Sequence, residues 1–150
     1  MIAAAASCAQ EEPAQTTQDL APIEYVAIVD DDEAVLRALA RLLRAHSFHV
    51  QTYRSARAFL DSLNAGVPAC LLVDLQMNEM TGLELLHFLA GAGMGIPAIV
   101  VTARDEPGMA LSEFPGAVAL FVKPVMKDPL LDAIKAAMTG RLRRGSSQGQ

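Results

Sequence analysis

Four apolar runs in this chain end on a group able to do chemistry. Tyr25-Val26-Ala27-Ile28-Val29 leads into Asp30-Asp31-Asp32, and Cys70-Leu71-Leu72-Val73 stops at Asp74. Residues 97–101 stop at Thr102, and residues 117–122 stop at Lys123. Gathered in one place, Asp30, Asp31 and Asp74 would repel one another, and some would hold protons unless a cation joined them. Mg²⁺ suits such a set, because it takes hard oxygen ligands, keeps several waters and typically uses one or two carboxylates plus phosphate. A carboxylate beside that ion can attack phosphorus as a nucleophile and form an aspartyl phosphate. Such transfer asks a protein mainly for in-line positioning and for neutralisation of the phosphoryl oxygens. The ammonium of Lys123 and the hydroxyl of Thr102 are suited to that work. Taken singly, each group has a simpler reading: the Asp run caps a helix, Asp74 opens a loop, Thr102 ends a strand, and Lys123 is solvated before a turn. Their shared position at the ends of apolar runs favours a common site, with Asp74 as the reacting group.

Such a site needs a scaffold that brings strand ends together. Short apolar runs bounded by turn residues read as strands covered on both faces, the habit of parallel sheets. Residues 24–29, 48–52, 70–74, 97–102 and 117–122 fit that description. Helical periodicity runs through 33–46, with Val35, Leu36, Leu39, Leu42 and Leu43 on one face. Ser55 reads as the N-cap of a helix to about residue 64, and a third helix spans about 82–90. Asp128 reads as the cap of a last helix with Pro129 in its first turn and Leu130, Leu131, Ile134 and Met138 as its buried stripe. Residues 103–116 are poor helix material, because Pro107-Gly108 and Pro115-Gly116 leave room for about two turns. Five strands alternating with five helices predict an α/β fold, a flavodoxin-like doubly wound (βα)5 with a five-stranded parallel sheet in the order 2-1-3-4-5. That order puts the strands ending at Asp30, Asp74 and Thr102 side by side, roughly 4.8 Å apart, with Lys123 about 10 Å from Asp74.

Composition and charge narrow the function classes. At 150 residues the chain predicts one domain, here residues 23–139, with 1–22 a disordered N-terminal extension and 140–150 a disordered basic and polar C-terminal tail. Apolar residues make up 52% and aromatics only 5%, so aliphatic side chains must fill the core. The net charge of −5, with the body's acids gathered around the proposed site, argues against direct nucleic-acid binding. Cys8 and Cys70 make no disulfide framework, which fits a reduced, cytoplasmic protein. The Ala-rich start has no basic n-region and reads as no signal peptide, and no run is long enough to span a membrane.

Val29-Asp30-Asp31-Asp32, Val73-Asp74 with Met77, Met80 and Gly82, Val101-Thr102-Ala103 and Lys123-Pro124 stand in the order and spacing of a known pattern. Over about residues 24–139 the chain resembles a response-regulator receiver domain of two-component signalling. The resemblance implies that Asp74 accepts a phosphoryl group from a sensor histidine kinase or phosphotransfer protein. It implies Mg²⁺ ligation by Asp31, Asp74 and the backbone carbonyl of Gln76, with Asp30 assisting through water. Thr102 and Lys123 would respond to the phosphate and reset the surface of the fourth helix, fifth strand and fifth helix. Gln76 and Arg104 would border the path of hydrolytic water. The chain would then be a signalling phosphoacceptor that assists its own phosphorylation and dephosphorylation, not an enzyme with a separate substrate. Three departures stand out. Asn78 replaces the proline usual after the first Met of the loop, and Leu120 occupies the place of an aromatic switch residue, with Phe121 beside it. One residue is also missing between Thr102 and Lys123. A one-residue offset turns a strand side chain to the other face, so Phe121 is no simple substitute for an aromatic at 120.

Two other readings compete. A haloacid-dehalogenase-type phosphatase could use Asp30-Asp31-Asp32 as its Asp-x-Asp, but it needs a further acidic cluster after the lysine and leaves Asp74 unexplained. A receiver-like interaction module without phosphorylation would leave the whole set of reacting groups idle. For output, the expectation is a downstream protein partner or an output domain in a longer regulator.

Overall fold

The computed structural model describes residues 23–103 and 110–147, excepting the side chains from 141 onward. The chain alternates strand and helix: β1 Val26–Val29, α1 Glu33–Ala45, β2 Val50–Tyr53, α2 Ala56–Ser62, β3 Cys70–Asp74, α3 Gly82–Gly91, β4 Ala98–Thr102, β5 Ala117–Val122 and α4 Lys127–Ser147. A short 3-10 turn, Leu111–Glu113, stands before β5. All five strands are parallel and lie in the order β2-β1-β3-β4-β5, the predicted 2-1-3-4-5.

Strand periodicity explains the two-sided core. Successive side chains point to opposite faces, and here both faces are covered. Val26, Ile28, Cys70, Leu72, Ile99 and Val101 pack on one side against Leu36, Ala40 and Leu43 of α1 and Leu130, Leu131 and Ile134 of α4. Ala27, Val29, Leu71, Val73, Ala98 and Val100 pack on the other against Ala56 and Phe59 of α2 and Leu85, Leu86 and Leu89 of α3. Every residue of β1, β3 and β4 is therefore buried, which is why these strands read as unbroken apolar runs.

Local chemistry sets the helix ends. Asp32 caps α1 by accepting from the amides of Ala34 and Val35. Thr81 and Glu84 form a reciprocal capping box at α3. At the far end of α1, Ser47 turns left-handed at φ 72° and Phe48 donates its amide to Leu43 O. This closure holds Phe48 on the helix, so β2 begins at Val50 and not at 48 as expected.

Three further expectations concern the helices. First, the described residues contain four α-helices, and the fifth is expected within 103–116, where residues 104–109 lie outside the described residues. The described end of that segment is a 3-10 turn at Leu111–Glu113, after which Phe114, before Pro115, is extended. Phe114 itself, buried, packs into the α2/α3 side of the core in that region. Second, α4 begins at Lys127, so Asp128 lies in its first turn and is not its cap. Third, the tail expected from residue 140 continues α4 as far as Ser147. An interior glycine costs a helix only about 1 kcal/mol relative to alanine, so Gly140 does not end one anchored by Leu130, Ile134 and Ala137.

Gly82 fixes how the loop after β3 returns to the sheet. Its amide donates to Leu75 O at 3.0 Å, and a Cβ on it would stand 2.5 Å from the Asp74 carbonyl oxygen and 2.9 Å from the Leu75 Cα. Both neighbours are backbone of the strand end and cannot swing aside. Gly82→Ala is expected to cost about 1–3 kcal/mol of unfolding free energy by overpacking, as measured by urea denaturation.

Candidate functional site

The site lies at the carboxyl edge of the sheet, where open α/β sheets form their crevices. Asp30 follows β1, Asp74 ends β3, Thr102 ends β4 and Lys123 follows β5. The ladder of backbone hydrogen bonds continues up to these residues: Asp30 donates to Tyr53 O at 3.1 Å, Leu75 to Val101 O at 2.9 Å, and Lys123 to Thr102 O at 2.8 Å. These side chains thus stand on strand ends tied into the sheet.

Asp30, Asp31 and Asp74 each offer a carboxylate oxygen, and the three oxygens lie within 4.8 Å of one another. Asp30 and Asp74 are 3% and 6% exposed and Thr102 is fully buried. Lys123 reaches in from the rim, with Nζ 3.3 Å from Asp30 Oδ2 and 3.8 Å from Asp74 Oδ1. Its nearer partner is Asp30, although the strand order had suggested Asp74 as the group it must reach. The other oxygen of Asp30 accepts from the Asp32 amide at 2.9 Å. Asp32 itself turns its carboxylate to the α1 amides, 2.9 Å from Ala34 N, and so stays with the helix. That separates the Asp run into two site acids and one cap, and it leaves an Asp-x-Asp pair of Asp30 and Asp32 without its second member.

The loop after β3 adds two amides. Gln76 N–H donates to Asp74 Oδ1 at 3.4 Å, and Asn78 N–H donates to Asp31 Oδ2 at 3.2 Å. Sequence reasoning treated Asn78 only as the loss of a stiffening proline. The missed signal was chemical: any residue other than proline brings a backbone donor, and here that donor meets an acid 47 positions away. Arg104 lies outside the described residues. Leu120 and Phe121 take opposite faces, Leu120 with the α2/α3 side and Phe121 with the α1/α4 side.

Burial dominates the electrostatics. The Asp74 carboxyl is pushed up from an ordinary 3.8 to about 6, first by desolvation and then by the negative charge of Asp30. Lys123 and the Gln76 amide offset part of that, and Asp31 adds a little to it. Cys70 is no rival nucleophile, since burial pushes its thiol up to about 12. The donor set, three hard oxygens clustered at a desolvated edge, fits a small oxygen-seeking cation such as Mg²⁺.

The sign of the Asp74 shift fixes a stability test. A carboxyl whose pKa is raised on folding binds its proton more tightly in the fold than in the open chain. Without divalent cation, stability is therefore lost as pH rises from about 4 through about 6. In EDTA at pH 7.5, Asp74→Asn is expected to be more stable than wild type, by on the order of 1 kcal/mol once water at the cleft mouth is allowed for. The difference should vanish below about pH 4 in urea titrations, because the wild-type carboxyl is then neutral in both states.

The family model described as "Response regulator receiver domain" matches residues 26–135. The response regulator protein TodT of Pseudomonas putida is 39% identical over 121 residues, covering 80% of this chain and 52% of the relative. The transcriptional regulatory protein FixJ of Rhizobium meliloti is 37% identical over 113 residues, covering 75% of this chain and 55% of FixJ. The chain thus spans about half the length of these curated relatives. Among solved structures, that of response regulator StyR aligns with a TM-score of 0.78 at 32% identity, over 85% of this chain and 65% of StyR. That of FixJ-N aligns with a TM-score of 0.71 at 35% identity, over 79% of this chain and 96% of FixJ-N. With the fold, the acidic strand ends and these relatives in agreement, the chain belongs to the response regulator receiver family.

Proposed function

We propose that this receiver is phosphorylated on Asp74 by a histidine kinase or phosphotransfer protein, in a reaction that depends on Mg²⁺. The observation that carries the reading is the position of Asp74: a buried carboxylate at a strand end, 3.8 Å from the Lys123 ammonium and clustered with Asp30 and Asp31. When bound, Mg²⁺ would neutralise phosphoryl oxygens and allow Asp74 to ionise. Asp31 and Asp74 would hold it directly, with the Gln76 carbonyl as a third ligand and Asp30 acting through water. The remaining roles belong to the chain. Asp74 supplies the nucleophilic oxygen, Lys123 pairs with a phosphoryl oxygen, and Thr102 donates its hydroxyl to another. Asn78 N–H donates to Asp31 Oδ2 and would help orient that carboxylate toward the ion. The transferred group then switches a partner-binding surface of this chain, which a downstream protein or an output domain of a longer regulator reads. No helix among the described residues is long and apolar enough to cross a membrane, and the free, buried Cys70 suits a reducing cytoplasm.

Asp74→Asn tests the acceptor directly. With acetyl phosphate and MgCl₂, wild type is expected to gain one phosphoryl mass in intact mass spectrometry and Asp74→Asn none. Undiminished labelling of the variant would refute the assignment.

The two acids after Asp30 should separate in metal binding. Asp31→Asn is expected to weaken Mg²⁺ affinity by at least about tenfold, read by titration calorimetry. Asp32→Asn should leave it nearly unchanged, since that side chain caps α1. Equal losses would reduce the cluster to a diffuse acidic patch.

A further inference from the structure

The free edge of the sheet carries a second, oppositely charged feature. A cavity of about 670 Å³ lies between α1 and β2, lined by Arg37, Arg41, Arg44 and Arg54 over a floor that includes Leu36 and Ala40. Four of the twelve basic residues of an acidic protein meet there. Among the lining residues one acid, Glu33, opposes them, 3.3 Å from Arg37. Among the described residues neither Arg41 nor Arg54 has an ion-pair partner.

The backbone beside these arginines is also open. β2 is an edge strand, and His49 O and Tyr53 O accept from Val26 and Asp30 of the neighbouring chain segment. Pairing alternates along a parallel strand, so the odd positions face β1 and the peptide groups of Val50, Thr52 and Arg54 face away from the sheet. Arg44 covers one of them, donating to Val50 O at 3.0 Å. The groups of Thr52 remain next to the arginines.

We infer that this edge is a docking site for an extended acidic segment of a partner protein, which pairs with β2 and lays its carboxylates on Arg37, Arg41 and Arg54. Strand addition supplies the backbone bonds and the arginines supply the selectivity for acidic side chains. A second copy of this chain is a poor occupant, because β2 against β2 would set one arginine cluster against another. Nucleic acid could use the charge but not the outward peptide groups of Thr52.

The test uses the full chain and a synthetic ten-residue peptide of alternating Glu and Val. Binding is followed by titration calorimetry, and the Thr52 amide by NMR hydrogen exchange. The Thr52 amide is expected to exchange quickly in the free protein and more slowly with the peptide. A Lys-for-Glu version of the peptide should bind at least tenfold more weakly. Arg41→Glu/Arg54→Glu and Thr52→Pro should each weaken binding of the acidic peptide by at least tenfold. Proline at 52 removes only an outward-facing N–H, which edge strands tolerate, and both variants should keep the wild-type circular dichroism and acetyl phosphate labelling. The inference is overturned if Thr52→Pro binds like wild type, or if inorganic pyrophosphate or a DNA duplex binds with the same arginine dependence and the peptide does not. It is equally overturned if the Thr52 amide is already protected without peptide, or if the chain self-associates through β2 in sedimentation experiments.

Discussion

The structure is organised around an unfavourable contact, three carboxylates held within 4.8 Å of one another at a poorly solvated edge. In a flexible loop such charges would simply move apart. Here Asp30 and Asp74 sit on strand ends whose backbones are tied into the sheet ladder, so the repulsion is met by protonation, by Lys123 or by a cation. Two groups that steady the acids, Gln76 N–H and Asn78 N–H, come from one loop. Gly82 folds that loop back against the strand it left. The buried sheet therefore has a role beyond stability: it supplies the rigidity that keeps like charges together at one edge.

The far side of the sheet is built differently from its centre. Ala98 pairs with Ala117 but Ile99 pairs with Ala119, so a bulge at Val118 shifts the register of β5 by one residue. Val118 is left 44% exposed, and after the bulge Ala119 and Phe121 share the α1/α4 face while Leu120 takes the other. A bulge re-aims every side chain beyond it. Phe121 consequently lies on the sheet face that α1 and α4 cover and does not occupy the place that the family resemblance assigns to an aromatic at 120.

Charge is partitioned along α1. Its N-terminus carries Asp32 and Glu33 beside the acidic edge, and Arg44 lies in its last turn, each sign suited to the local end of the helix dipole. Arg37, Arg41 and Arg44 then run along the side that faces β2. One helix thereby divides an acidic cleft from a basic groove, and the two regions can recognise different chemistry at once.

Most of the architecture was legible in the sequence because parallel strands buried on both faces leave unbroken apolar runs, and a single connectivity satisfies right-handed crossovers. Asp30, Asp31, Asp74 and Lys123 could be grouped before any coordinates, since strand order alone brings their positions together. What the sequence could not decide were the outcomes of competition between local and tertiary forces. Gly140 has a poor helix propensity, yet burial of Leu130, Ile134 and Ala137 carries α4 through it. Leu111–Glu113 close as a 3-10 turn, and Phe114 after it is buried in the core, a packing outcome that Pro115 alone does not specify. Asp30, Asp31 and Asp32 are identical in type and adjacent, and only the direction of each side chain separates two site acids from a helix cap. The bond between Asn78 and Asp31 spans 47 residues, and no local pattern records a contact made by folding two distant loops onto the same edge.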